Sequence, residues 1–255
     1  MTRIMILVLG ALVAGAAVAA ETDPVVEAFV CNLNSGKTMA DFDKATAFWN
    51  TQMDKIAGGD QYMAVVMTPI RANPPGDLIW LGSYGNLNDW AKNEAAYEAS
   101  AEGQAADAGF DKAIKCRSGL WFSQALHVGL PPATVGGAPG VIETYQCTLR
   151  KGKTMANVEH ANTVWKAYTD DAVKADPALG KFAAYMLTPW LANVTFDLVY
   201  LVVNDNLVDF GKLNTAAMTS SAGGAVGAAF DDAMTCDAGL MSGKVVRVPA
   251  QQNAQ

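Results

Sequence analysis

Glu27-Ala28-Phe29-Val30-Cys31 recurs 116 positions later as Glu143-Thr144-Tyr145-Gln146-Cys147, and these two stretches decide the fold. The same turn and helix start follow each of them: Gly36-Lys37-Thr38-Met39-Ala40 in the first half and Gly152-Lys153-Thr154-Met155-Ala156 in the second. After a short insertion, matching pairs continue at an offset of 120, as far as Gly239-Leu240. A period of about 100 residues indicates a duplicated domain, since solenoid units are about 20–50 residues long.

The repeat and its flanking sequences divide the chain into five segments. Residues 1–20 are predicted to be a signal peptide, because Arg3 precedes an apolar run that ends in a small-residue cleavage site. The other segments are predicted to be repeat 1 (24–127), a Pro/Gly-rich linker (128–140), repeat 2 (141–247) and a disordered tail (248–255). The protein is therefore expected to be periplasmic or secreted, with no transmembrane segment once the signal peptide is cleaved.

The net charge and the cysteine pattern limit which partners, disulfides and metal sites are expected. The net charge of −7 argues against nucleic acid, because it would repel a phosphate backbone. Each repeat has one cysteine at the end of its first strand and another just before its last strand, which predicts the disulfides Cys31–Cys116 and Cys147–Cys236. Because no CxxC or Cys/His cluster accompanies these cysteines, no metal site is predicted.

Both halves predict the element order βαββαβ. In the first half, strands are predicted over Val25–Cys31, Tyr62–Thr68 and Asp77–Tyr84, and a last strand from Leu120. A helix is expected to start after the N-cap Thr38, and further helical sequence to follow Asn86. Two crossovers and one hairpin specify a ferredoxin-like unit with the antiparallel strand order 4-1-3-2.

A sheet with helices on one face must bury its other face, and the second copy supplies an equivalent surface. The chain thus resembles the dimeric α+β barrel superfamily, with no diagnostic motif for a subfamily. The resemblance implies an α+β fold in which two ferredoxin-like βαββαβ repeats pack sheet to sheet as an intrachain α+β barrel around a shared lumen. The sequence leaves open whether the partner sheet belongs to the same chain or to a second copy.

A carboxylate on the first strand of each half is the candidate site. Strand alternation groups Glu27 with Phe29, and we assign this face to the lumen because the alternate, smaller apolar residues suit packing under helices. The predicted ligand-binding residues are Glu27, Phe29, Trp80, Glu143, Tyr145 and Tyr200. Burial raises a carboxyl pKa and enables proton transfer, while aromatic side chains suit a flat or apolar ligand. The alternative is that both glutamates only maintain the fold.

The expected function is binding of a small apolar or aromatic molecule of unknown identity, without a cofactor. One alternative is a cofactor-independent monooxygenase or isomerase that uses the same lumen. Another is a non-enzymatic envelope module, which predicts a lumen filled by side chains. The resemblance also includes chlorite dismutase-like haem proteins, for which His160 or His127 would be the candidate ligand. The sequence determines neither enzymatic activity nor oligomeric state.

Overall fold

A computed structural model describes residues 24–71 and 76–250. Its helices and strands are β1 (Val25–Leu33), α1 (Met39–Met53), β2 (Met63–Arg71), β3 (Leu78–Tyr84), α2 (Leu87–Ala99), α3 (Ala101–Phe110), β4 (Ile114–Val128), β5 (Gly140–Leu149), α4 (Met155–Ala175), β6 (Phe182–Leu191), β7 (Leu198–Asn204), α5 (Leu207–Thr219), α6 (Ser221–Ala233) and β8 (Met234–Arg247). The predicted signal peptide and residues 251–255 of the predicted tail lie outside the described residues. Val248, at the start of that tail, is buried.

Polar caps set the helix boundaries in the first half. Thr38 and Asp41 form a capping box at the start of α1, and Asn86 accepts a hydrogen bond from the Asp89 backbone at the start of α2. Ser100 ends α2 and also caps α3 through the Gly103 backbone N–H. The helical stretch after Asn86 is therefore two helices that meet at Ser100. In a continuous helix the Gly103 N–H would bond to a backbone carbonyl of the preceding turn, whereas here it bonds to the Ser100 side chain.

The eight strands form one closed antiparallel barrel in the order β1-β3-β2-β8-β5-β7-β6-β4. Within each half the order is the expected 4-1-3-2, as β4-β1-β3-β2 and β8-β5-β7-β6. The halves join edge to edge, because β2 pairs with β8 and β4 pairs with β6. The barrel therefore closes within a single chain.

Both predicted disulfides are confirmed. Cys31 lies opposite Cys116 in the β1–β4 register, and Cys147 lies opposite Cys236 in the β5–β8 register. The bonded cysteines are 85 and 89 residues apart in sequence. Closing loops of this length contributes about 4 kcal/mol each in the chain-entropy model.

Side chains fill the barrel interior. One cluster takes a buried or half-buried apolar residue from every strand: Val26, Met67, Leu81, Trp121, Ile142, Leu187, Leu201 and Met241. Such a set can meet only inside the barrel, and an eight-stranded barrel is just wide enough for its own side chains. Phe196, in the loop before β7, stacks on Trp121 with a ring separation of 5.8 Å. The prediction of a ligand-binding lumen is therefore wrong, because packed side chains fill the barrel interior.

The helices cover the outside of the barrel and form a second layer on each half. In the first half Trp49 of α1 is buried against Trp80 of β3, with ring centres 4.8 Å apart. A corresponding cluster in the second half contains Val158 of α4 and Tyr200 of β7. Among the helices of the described residues, none is both long enough and apolar enough to cross a membrane.

Candidate functional site

The structure reverses the predicted orientation of the first strand. Val26 and Ala28 point into the barrel, whereas Glu27 and Phe29 point outward, towards the helices. On β1 the smaller pair faces the interior, which large residues of other strands such as Trp121 and Met67 help to fill, and the larger pair faces the space under the helices. The other four predicted site residues, Trp80, Glu143, Tyr145 and Tyr200, also lie on the helix-covered face.

A cavity of about 470 Å³ lies between the sheet of the first half and helices α1–α3. Seven aromatic residues line it: Phe29, Trp49, Tyr62, Trp80, Tyr84, Tyr97 and Phe110. Glu27, Phe29 and Trp80 were predicted as site residues, and the structure brings them together here. Glu143, Tyr145 and Tyr200 lie instead in the second half, so the six predicted residues do not form one site.

The aromatic wall of this cavity has a fixed geometry. The ring centres of Trp49 and Trp80 are 4.8 Å apart with planes at 87°, an edge-to-face contact, and the rings of Tyr62 and Tyr84 are also 4.8 Å apart. The indole N–H of Trp80 donates to the Tyr62 hydroxyl at 3.0 Å, and the Tyr84 hydroxyl donates to Asn93. These contacts hold the rings in place before any ligand arrives, which reduces the entropy cost of binding.

Gly82 provides the room for one of these rings. It lies opposite Glu27 in the β1–β3 register, and a Cβ atom placed on it would come within 1.5 Å of the Tyr62 hydroxyl. The aligned residues of the second half are Val202 and Phe182. A glycine thus accompanies the tyrosine, whereas a valine accompanies the phenylalanine that has no hydroxyl.

Glu27 is a half-buried carboxyl group of the cavity. Its Oε1 accepts a hydrogen bond of 2.7 Å from the indole N–H of Trp90 on α2. Burial raises the pKa of Glu27 from 4.5 to about 7; the Trp90 bond opposes this rise and the nearby Glu94 carboxylate adds to it. The group is therefore close to half ionised at neutral pH and can both accept and release a proton.

Further carboxylates from α2 and α3 also line the cavity. Burial raises the pKa of Glu94, and repulsion from Glu98 and Asp107 raises it further. Asp107 accepts a hydrogen bond of 2.8 Å from the Tyr97 hydroxyl, yet its pKa is also raised, mainly by burial. Sequence reasoning did not identify these residues. Their signal was the i, i+4 spacing of Glu94 and Glu98, which places both on one face of the helix.

Glu143 has a different environment, although it is the repeat-matched residue of Glu27. It is 6% exposed and accepts hydrogen bonds from the Tyr145 hydroxyl at 2.6 Å, Asn214 Nδ2 at 3.2 Å and Asn204 Nδ2 at 3.4 Å. Both asparagines replace residues of the first half, Tyr84 and Glu94. The chain itself therefore satisfies this carboxyl group, as the fold-maintaining alternative predicts for this half.

Neither histidine reaches the cavity. His127 Nε2 lies 2.9 Å from the carbonyl oxygen of Gly180 and its ring stacks on Phe182, while His160 is exposed on α4. The residues that line the cavity do not fit a haem, because its cysteines form a disulfide and its carboxylates would repel the propionates. The described residues also contain no group of three or more His, Cys, Asp or Glu side chains arranged to hold a metal ion.

The comparisons with known proteins bear on the fold. No protein-family model and no curated protein matches the sequence. A candidate monooxygenase from Fusobacterium nucleatum subsp. nucleatum superposes with a TM-score of 0.57 at 10% identity, over 89% of this chain and 94% of its own. An anthrone oxidase-like protein gives 0.55 at 10% identity, over 89% and 92% of the two chains. A candidate chlorite dismutase gives 0.54 at 10% identity, over 91% and 99%.

These neighbours are dimeric α+β barrel proteins. The chain shares with them a mixed α+β fold built on a closed eight-stranded antiparallel barrel. Identities near 10% show the fold alone, because one fold of this kind supports many unrelated activities.

Proposed function

We propose that the protein binds a small organic molecule with an aromatic or apolar body in the helix–sheet cavity of the first half. The observation that carries this proposal is the cavity of about 470 Å³, which seven aromatic side chains line together with the half-buried carboxyl group of Glu27. Cavities of this size that combine aromatic walls with polar groups are typical of small-molecule sites. Glu27 is the polar contact that orients the ligand.

The differences between the matched halves of the sequence support different roles for the two halves, one in ligand binding and one in the scaffold. We infer that they are two ferredoxin-like repeats, of which the first retains the ligand site and the second contributes scaffold. The hydrogen bonds that surround Glu143 support the scaffold role of the second repeat. The leader-like residues 1–20 and the two disulfides support export to the periplasm or the medium.

A blocking substitution with a matched control tests the proposal. Ser118 lines the cavity and is exposed, so Ser118→Trp places an indole at its mouth. Ala238 is the repeat-matched residue of the second half and is also exposed, so Ala238→Trp adds the same side chain elsewhere. Titration with the neutral naphthalene dye Prodan, followed by its emission, reports binding. We expect saturable binding to the wild type and Ala238→Trp proteins, and at least about tenfold weaker binding to Ser118→Trp.

The dye titration has two outcomes that refute the proposal. In one, the dye does not bind to the wild-type protein with a defined stoichiometry. In the other, the Ser118→Trp protein binds it as tightly as the Ala238→Trp protein. Circular dichroism of both variants confirms that each keeps its fold, since both positions are exposed on their strands.

A second candidate is a cofactor-independent enzyme in which Glu27 is the general base. The observation that favours it is a carboxyl pKa of about 7 inside an aromatic-lined cavity, near the value that suits proton transfer at neutral pH. In this step the Glu27 carboxylate takes a proton from an acidic C–H bond of the ligand, and the electron pair stays on the ligand as an enolate. Protonation of the enolate at another position completes an isomerisation, and its reaction with dioxygen starts an oxygenation.

Proton exchange tests this candidate directly. Anthrone has an acidic methylene group, and an anthrone oxidase-like protein is among the structural neighbours. We expect the wild-type protein to accelerate deuterium incorporation into that group in heavy water, as measured by proton NMR. We also expect Glu27→Gln to abolish the acceleration. Equal exchange rates with the Glu27→Gln and wild-type proteins would exclude Glu27 as the base.

A further inference from the structure

We propose that the cavity selects an organic cation, such as an aromatic amine or a quaternary ammonium compound. This inference rests on the proposed binding function and specifies the chemical class of the ligand. It is carried by the charge of the cavity wall together with its aromatic surface.

All the charged side chains that line the cavity are acidic. They are Glu27 from β1, Glu94 and Glu98 from α2, Asp107 from α3 and Asp111 from the turn after it. No lysine, arginine or histidine is among the described residues that line it. Walls of one sign concentrate the field inside a cleft and attract ligands of the opposite sign.

The acidic wall belongs to the first half only. The residues of the second half that align with Glu94, Glu98 and Asp107 are Asn214, Met218 and Gly227. Of the five acidic positions, only those of Glu27 and Asp111 are acidic in both halves, as Glu143 and Asp231. Three carboxylates are thus specific to the first half, where the cavity lies. The fold does not require them, because the second half has the same strand order without them.

The aromatic walls add a second attraction for a cation. Tryptophan and tyrosine faces bind ammonium groups through the ring quadrupole, and combining such rings with carboxylates is a common way to bind quaternary ammonium ligands. The guanidinium of Arg247 lies 5.8 Å from the ring centre of Trp49, so one cation already contacts this ring from outside the cavity. That arginine does not line the cavity and is already bound by Asp54 and the Gly59 carbonyl.

The arrangement of the carboxylates favours an organic cation over a metal ion. The described part of the chain holds no group of three or more acidic, histidine or cysteine side chains arranged to coordinate a metal. The carboxylates are distributed around the wall, from β1 to α3, instead of converging on one point. Burial keeps the pKa of Glu27 and Glu94 raised, and a cation between them would stabilise both ionised forms.

Three phenols of similar size test the selection. They are para-hydroxyphenyltrimethylammonium, its uncharged carbon isostere para-tert-butylphenol, and the anion para-phenolsulfonate. Isothermal titration calorimetry at about pH 8, where Glu27 is mostly ionised, gives the affinity of each for the wild-type protein. We expect the cation to bind at least about tenfold more tightly than the isostere, and the anion to bind most weakly.

Two charge-matched variants separate a local effect from the overall negative charge. Glu94→Gln removes a carboxylate from the cavity, whereas Glu159→Gln removes one from the exposed surface of α4. We expect the first to lower the affinity for the cation about fivefold or more relative to the affinity for para-tert-butylphenol. The second should change the affinity for the cation less than about twofold, because salt screens distant exposed charges.

The possible outcomes separate this inference from the proposed function. If para-tert-butylphenol or para-phenolsulfonate binds as tightly as the cation, and Ser118→Trp blocks it, then the cavity binds ligands but does not select cations. If none of the three binds while Prodan still binds and Ser118→Trp blocks the dye, the inference fails alone. If Prodan does not bind, or if Ser118→Trp has no effect on it, the proposed function fails and the inference fails with it. Equal effects of Glu94→Gln and Glu159→Gln would also overturn the inference, because only the overall charge would then matter.

Discussion

The unusual environment of Glu27 predicts that this one residue makes the stability of the protein depend on pH. The folded protein raises the pKa of Glu27 from 4.5 to about 7, first through burial. The folded state therefore keeps its proton to higher pH than the unfolded chain, and unfolding releases a proton between these two values. The free energy of unfolding must then fall as the pH rises through this window.

The magnitude follows from the size of the pKa change. Each pKa unit corresponds to about 1.4 kcal/mol, so ionised Glu27 destabilises the folded state by about 3 kcal/mol at high pH. Glu27→Gln has no charge to desolvate and can still accept the hydrogen bond from Trp90. We expect the variant to match the wild type at low pH and to become the more stable protein above neutral pH.

Urea denaturation of oxidised protein, followed by tryptophan fluorescence, measures the difference. The stability advantage of Glu27→Gln should grow by about 2–3 kcal/mol from about pH 5 to about pH 8. Glu143→Gln is the matched control, because it replaces the corresponding carboxyl group in the second half. In this variant the glutamine NH2 group, a donor, faces side chains that themselves donate to Glu143, namely the Tyr145 hydroxyl and two asparagines. We therefore expect the free energy of unfolding to fall by about 1–3 kcal/mol at pH 7. If the difference in free energy of unfolding between the wild type and Glu27→Gln stays constant over this pH range, the pKa of Glu27 is not raised by folding.

Two further substitutions test the packing on either side of the sheet. Gly82→Ala should lose about 1–3 kcal/mol in thermal or urea denaturation, because its Cβ atom would overlap the Tyr62 hydroxyl. Gly85→Ala, whose Cβ atom would meet nothing within 4 Å, should change stability by less than about 0.5 kcal/mol; equal losses would show that Tyr62 is not held against Gly82. Leu201→Ala should lose about 2–5 kcal/mol while Prodan affinity stays unchanged, because Leu201 packs in the barrel interior. A large loss of Prodan affinity in a folded Leu201→Ala protein would indicate that the dye binds in the barrel interior instead.

The strand order and the disulfides could be predicted because the two halves constrain each other. One cysteine pairing places equivalent residues together in both halves, and the 4-1-3-2 order puts the start of the last strand beside the end of the first. The structure shows this geometry as the pairs Cys31–Cys116 and Cys147–Cys236, each directly opposite in register. Such constraints are topological, so they do not depend on which side of the sheet faces the helices.

The face of the first strand could not be predicted in the same way. Alternation separates Glu27 and Phe29 from Val26 and Ala28, but it assigns neither set to the inside. Both faces of this sheet are buried, one in the barrel and one under helices, so hydrophobicity alone does not distinguish them. Side-chain size does not assign the faces either, because the barrel interior also holds large residues of other strands, such as Trp121 and Met67.

The members of the site that lie on α2 and α3 were missed for a related reason. Glu94, Glu98 and Asp107 look like ordinary surface residues of two helices, and a sequence pattern does not reveal the gap beneath them. The gap lies between these helices and the sheet, where Trp80 and Tyr84 form part of its wall. Tertiary packing thus creates the site from residues whose local signal, the i, i+4 spacing of Glu94 and Glu98, equally suits an exposed helix face.

The contrast between the two glutamates explains why only one half has a candidate site. Three side-chain donors surround Glu143, so its hydrogen-bonding capacity is used within the chain. Glu27 has Trp90 as its side-chain donor, and its neighbour Glu94 repels it. A buried carboxyl group with so few donors costs free energy in the folded protein, and a ligand that supplies positive charge or a donor would recover that cost. Ionised Glu27 therefore lowers the stability of the free protein, and a bound cation or donor would restore that stability.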